Sequence, residues 1–177
     1  MVIAVSWSGL AYAGDIHEAA ARGNRQEVER LLERHPRLVY SRDWEPSPPF
    51  NGDTPLISAA FHGRAAIAQL LIAYGANVDA RGGKGWTAMY AAAVWGYLDV
   101  VKVLVANRAD VNERIKGGET PLYAAARNGQ VEVAELLVAN HADVNAEDKE
   151  GETPLWAAEL HGNKEIIAML RRAGGHE

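Results

Sequence analysis

The 177-residue chain contains no cysteine, which excludes disulfides, thiolate nucleophiles and zinc–thiolate centres together. That absence leaves the redox compartment open. No apolar run approaches the ~18 residues that a membrane-spanning helix needs, so no transmembrane segment is expected. Basic residues are in the minority, 18 Lys and Arg against 23 Asp and Glu, for a formal net charge of −5. A protein that neutralises many phosphates carries the opposite sign, so nucleic acid is not an expected partner. Catalytic signatures are missing as well. No serine lies in a G-x-S-x-G turn. His17-Glu18 opens like a zincin helix, but residue 21 is Ala, so the second metal ligand is absent. Gly82-Gly83-Lys84-Gly85-Trp86-Thr87 lacks the spacing of a phosphate loop. Neither a metal nor any other cofactor is expected, and no enzymatic activity.

What the chain does have is a step. Thr54, Thr87, Thr120 and Thr153 follow one another at intervals of 33 residues, and Gly63, Gly96, Gly129 and Gly162 keep the same interval nine residues behind them. A whole cassette therefore repeats. Repetition at this period marks stacked supersecondary units, each too small to bury an apolar face alone, so that stability comes from neighbours.

Each cassette reads as a helix pair. A threonine before proline, as in Thr120-Pro121 and Thr153-Pro154, caps a helix start through its hydroxyl, and proline there gives up an N–H that would have no intrahelical partner. The following glycine takes a positive φ and ends the helix. A second helix carries an apolar face at helical spacing: Val101, Leu104 and Val105 in one unit, Ala134, Leu137 and Val138 in the next. The first helices bear paired alanines, Ala59-Ala60, Ala92-Ala93 and Ala125-Ala126, which predicts close approach between them. Asn- and Asp-rich pieces at 76–79, 109–112 and 142–145, each followed by glycine, predict short extended segments and hairpin tips.

The pattern G-x-TPLxxAAxxG, the Leu-rich second helix and the ADVN pieces resemble the ankyrin repeat family. The resemblance implies an all-α solenoid of stacked helix-turn-helix units with short β-hairpin loops, forming one domain over 14–175 with units near 14–42, 50–80, 83–113, 116–146 and 149–175. The first unit is degenerate and resembles an N-terminal capping repeat. Between Gly23 and Gly63 the step is 40 residues in place of 33, which locates a Pro-rich insert at 43–50. Where the family carries His after TPL, this chain has Ile57, Tyr90, Tyr123 and Trp156, and apolar packing is expected to replace the hydrogen bond that His makes between neighbouring loops. The family's glycine after the second helix is kept at Gly75 and Gly174 but is Arg108 and His141 elsewhere, implying left-handed backbone at two non-glycine residues. In the last unit Glu159 and Arg171 stand at otherwise apolar positions, as suits a terminal repeat with one uncovered face.

The same resemblance implies an unknown protein partner bound on the concave face and the hairpin tips. Mapped by position, that surface takes Phe50, Asp53, Ser58, Phe61 and His62 from the second unit, with Trp44 from the insert. Lys84, Trp86, Val94 and Trp95 come from the third unit, Lys116, Glu119, Arg127 and Asn128 from the fourth, and Lys149, Glu152, Leu160 and His161 from the fifth. Aromatic side chains concentrate in the early units, where exposure makes them interface anchors. The competing reading has several of them covering the insert or packing between first helices. A non-catalytic protein-interaction scaffold is the leading expectation for function. Two others stay open: a purely structural or engineered consensus-like module, and an accessory or small-molecule-binding array. A monomer is expected. Residues 1–13 carry no charge and end in Ala11-Tyr12-Ala13, a small-x-small pattern. As a signal-peptide remnant they place the protein in the periplasm or outside the cell; retained as an apolar segment over the first helix pair, they leave it cytoplasmic.

Overall fold

The computed structural model describes residues 16–43 and 52–176. Trp44, Phe50, the apolar segment at 1–13 and most of the insert lie outside these residues. Helix α1 runs over 16–22 and α2 over Arg25–Arg34, followed by a 3-10 turn at Pro36–Tyr40. Four more pairs follow: α3 Pro55–Phe61 with α4 Ala65–Ala73, α5 Ala88–Trp95 with α6 Leu98–Ala106, α7 Pro121–Arg127 with α8 Val131–Ala139, and α9 Pro154–Leu160 with α10 Lys164–Arg172.

The threonines start the first helix of each of these four pairs. Thr54 Oγ1 accepts the amide of Ile57 at 3.3 Å, and Thr87, Thr120 and Thr153 accept those of Tyr90, Tyr123 and Trp156 at 3.2 Å. Each hydroxyl satisfies one of the amides that a helix start leaves without an intrahelical partner. The glycines end these helices, with φ of 69° at Gly63, Gly129 and Gly162 and 72° at Gly96. This left-handed turn lets the next amide reach back five residues: Arg64 to Ala59, Tyr97 to Ala92, Gln130 to Ala125 and Asn163 to Ala158, all at 2.9–3.0 Å. Asn24 makes the same bond to Ala19 at 2.9 Å in the opening pair. The second helices thus begin from a backbone-defined corner, and α4, α6, α8 and α10 have no side-chain cap bond.

Ala59, Ala60, Ala92, Ala93, Ala125 and Ala126 are fully buried, and with no side chain beyond Cβ they let α3, α5, α7 and α9 stack tightly. Successive first helices contact one another more extensively than successive second helices do. The first helices therefore lie closer together than the second helices, along one side of the stack. One apolar core runs the length of the array, from Ile16 through Leu31, Leu71, Leu104 and Leu137 to Leu170. Val101, Leu104, Ala134 and Leu137 lie fully inside it, while Val105 and Val138 pack at its rim. On the outer face of the first pair, charge is solvated and paired along the helix, as between Arg25 and Glu29 at 2.9 Å.

The tips are short hairpin loops. Each closes through a cross-bond, Gly82 to Trp86 at 2.8 Å, Ile115 to Glu119 at 3.1 Å and Asp148 to Glu152 at 3.0 Å, with a turn bond inside it, Gly85 to Gly82 at 2.9 Å, Gly118 to Ile115 at 2.9 Å and Gly151 to Asp148 at 3.3 Å, and no strand is present among the described residues. Two bonds closing a tight turn are too short a ladder to make a strand. Side chains lace these segments together: Asp79 accepts the Asp110 amide at 2.9 Å, Asn112 that of Asp143 at 2.7 Å, and Asn145 that of His176 at 3.0 Å. Arg108 and His141 have φ of 63° and 67°, in the left-handed region that Gly75 also occupies at 90°.

Candidate functional site

The first helices and the tips bring their side chains to one side of the stack because each tip precedes its capping threonine by a single residue. The residue just before the threonine and the third residue of the preceding first helix face one another across the unit boundary. Tyr90 donates its hydroxyl to Glu119 Oε2 at 3.3 Å, and Tyr123 donates to Glu152 Oε2 at 2.8 Å, both across 29 residues of sequence. This corrects the expectation that apolar packing alone replaces the family's histidine. A phenol reaches further than an imidazole, so it finds the next tip's carboxylate. At the opening pair the equivalent residue is a histidine: His17 is buried and its Nε2 donates to the Asp53 carbonyl at 3.0 Å. Burial, reinforced by the facing carboxylates, holds the Tyr90 and Tyr123 phenols well above their ordinary pKa. They remain donors at all physiological pH.

Asp53 and Ser58 do not belong to the open surface onto which their positions map. They are 5% and 6% exposed. Asp53 Oδ1 turns inward to accept the Gly83 amide at 3.2 Å, tying its tip to the next. Burial pushes this carboxyl up to about 6, against the lowering effect of that amide bond.

The aromatic residues come together. Phe61 lies edge-on to Trp95, ring centroids 5.4 Å apart, and 6.2 Å from Trp86, which in turn lies 5.0 Å from Tyr90. His62 stands edge-on to Phe61 at 5.3 Å, with its Nδ1 donating to the Ser58 carbonyl at 2.9 Å. Phe61 and Trp86 are half-buried, whereas Trp95 is 51% exposed. Both readings of the aromatics thus apply, packing for the inner rings and exposure for the outer one.

The later units are different. Glu119 sits 3.7 Å from Arg127. Asn128 folds its amide back onto the Ala124 carbonyl at 2.8 Å, which uses part of its donor capacity within its own helix. Leu160 is 63% exposed, and His161 is exposed beside it. Glu119, Arg127, Leu160 and His161 share one groove of about 300 Å³ with Tyr123, Trp156 and the acidic tip residues Asp148, Glu150 and Glu152. Tyr123, Trp156, Asp148 and Glu150 escape a position-by-position mapping. The signal for them is the 29-residue step from a first-helix ring to the acidic tip of the next unit. No group of His, Asp or Glu that could hold a metal occurs among the described residues. No helix among them is long and apolar enough to cross a membrane.

Helix pairs stacked through alanine-rich first helices, with tips laced edge to edge, define an all-α repeat solenoid. A family model described as "Ankyrin repeats (3 copies)" matches residues 16–115 and 109–176, and the chain belongs to the ankyrin repeat family. No curated protein matches the chain. Ankyrin repeats are generally protein-interaction modules, and the family is typically non-catalytic.

Proposed function

We propose that this chain is a binding scaffold that holds a protein partner along its concave face and tips, with Phe61, Trp86 and Trp95 as the anchor. One observation carries the reading: the rings of Phe61, Trp86 and Trp95 form a contiguous patch, yet Trp95 stays 51% exposed. Large aromatic rings exposed at the centre of a rigid face are the residues on which interfaces concentrate their binding energy. The equivalent positions in the next unit are Glu119 and Asn128, so the patch is a local feature of the array and its fold does not demand it. His62, Arg127, Leu160 and His161 extend the proposed surface along the stack. Trp44 and Phe50 would extend it on the insert side.

The test is a pair of substitutions. Trp95→Ala with Trp86→Ala should abolish capture of the native partner while circular dichroism keeps its helical signal. Capture that survives both changes would take the rings out of the site and favour a purely structural module.

A further inference from the structure

We infer that the partner presents an arginine a few residues from an apolar anchor, the anchor seating on Trp86 and Trp95 and the guanidinium entering the groove between α7 and α9. This rests on the protein-binding reading above and narrows it to a chemistry.

The face changes character along the stack. The tip position that holds Trp86 in the third unit holds Glu119 and Glu152 in the next two, and the helix-end position of Trp95 becomes Asn128 and then His161. An apolar region therefore passes directly into an acidic one. In the groove, the carboxylates of Glu119, Asp148, Glu150 and Glu152 outnumber the single guanidinium of Arg127, which lies 3.7 Å from Glu119. The lining carries a clear surplus of negative charge toward the Glu150 side. Glu150 is exposed and has no ion-pair partner among the described residues.

The groove is more than a set of carboxylates. Trp156, half-buried, supplies a ring surface within it, while Tyr123 is 4% exposed and contributes only at its base, and the volume of about 300 Å³ admits a side chain and not a folded element. A planar guanidinium can stack on an aromatic face and pair with a carboxylate at once, which an ammonium does less well. The Glu152 carboxylate is already oriented by the Tyr123 hydroxyl at 2.8 Å, so it need not be ordered on binding. The groove lies about two layers from Trp86. At ~8–10 Å per packed helix layer and ~3.3 Å per extended residue, the arginine should stand about five or six residues from the anchor.

The experiment is selection of a phage-displayed library of random dodecapeptides on the immobilised full chain, followed by affinity measurement with the winning peptide. The inference expects enrichment of arginine at that distance from an aromatic or large aliphatic residue. It also expects a loss on the order of tenfold in affinity for Glu150→Lys, and a smaller loss for Glu150→Gln. Replacing the peptide's arginine by glutamine should weaken binding to the unaltered protein and leave binding to Glu150→Lys nearly unchanged. Winners that need Trp95 but contain no arginine, or that bind Glu150→Lys undiminished, overturn the inference and leave the aromatic anchor standing. Winners indifferent to both Trp95→Ala and Glu150→Lys overturn the inference and the protein-binding reading together.

Discussion

Asp53 is the residue whose environment most opposes its chemistry. Its carboxyl is buried, bonded to the Gly83 amide and within the field of Asp43, Arg42 and Lys84, and burial raises its pKa to about 6. An acid with a raised folded-state pKa favours folding most when protonated. Its contribution is full below about pH 4, where the unfolded chain also protonates, and is lost as pH rises through 6. Asp53→Asn can still accept the Gly83 amide and carries no charge to bury. The variant should melt higher than the natural chain at pH 7.5, with the gap closing as pH falls toward 4. A gap that is constant with pH would show that the carboxylate is not the cause. Arg108 and His141 are strained in a different currency, with φ of 63° and 67°. A left-handed non-glycine residue costs about 1–2 kcal/mol, and glycine returns about 0.5–1 kcal/mol of that as unfolded-state entropy. Arg108→Gly and His141→Gly should therefore each raise the melting temperature by about 1–4 °C, as read by thermal circular dichroism. Lower values would mean that the side chains contribute packing that outweighs the strain.

At the scale of the element, the first helices were the most legible part of the chain. Thr120 followed by Pro121, and Gly129 nine residues after the threonine, state a start and a stop in local chemistry, and the helix obeys both because capping needs no distant partner. The bonds between units were not legible in that way. Tyr123 and Glu152 are separated by 29 residues, and only the stacked backbone fixes their approach, so the tyrosine read as an apolar replacement. The tips, by contrast, were legible, since turn chemistry alone places the reversals at Gly85, Gly118 and Gly151. Tyr123→Phe keeps the ring and removes the hydroxyl that joins α7 to the tip before α9. It should cost about 1–2 kcal/mol, the range for a hydrogen bond to a partly buried carboxylate. Tyr90→Phe should add to it less than fully, since its partner Glu119 lines the same groove as Tyr123. Urea unfolding of the single and double variants measures both, and an unchanged midpoint for Tyr123→Phe would mean that water replaces the bond at no cost.

For the whole molecule, the array could be read from the 33-residue step, whereas the candidate site could be read only by position. Position placed Phe61, Trp86 and Trp95 on one face, but it also placed Asp53 there, which the fold buries to 5% exposure, because a tip residue turns inward or outward according to the amide that the adjacent tip offers. A stack of this kind has stability that is a sum over units and their boundaries. Leu104 in α6 and Leu170 in α10 are both fully buried, so truncating either to alanine removes the same transfer free energy and leaves a cavity, about 2–5 kcal/mol in all. Their consequences should nevertheless differ. Leu104 supports units on both sides, so Leu104→Ala should lower the stability of the array as one cooperative step. Leu170 lies in the last described pair, where α10 packs chiefly on α9 and α8, so Leu170→Ala should release that pair first. Hydrogen exchange followed by mass spectrometry distinguishes the outcomes. Leu170→Ala should speed exchange in Pro154–Leu160 and Lys164–Arg172 while α5 and α6 keep their protection, and Leu104→Ala should speed exchange throughout. Uniform loss of protection in Leu170→Ala would show that the boundaries are strong enough for the array to unfold as a single unit.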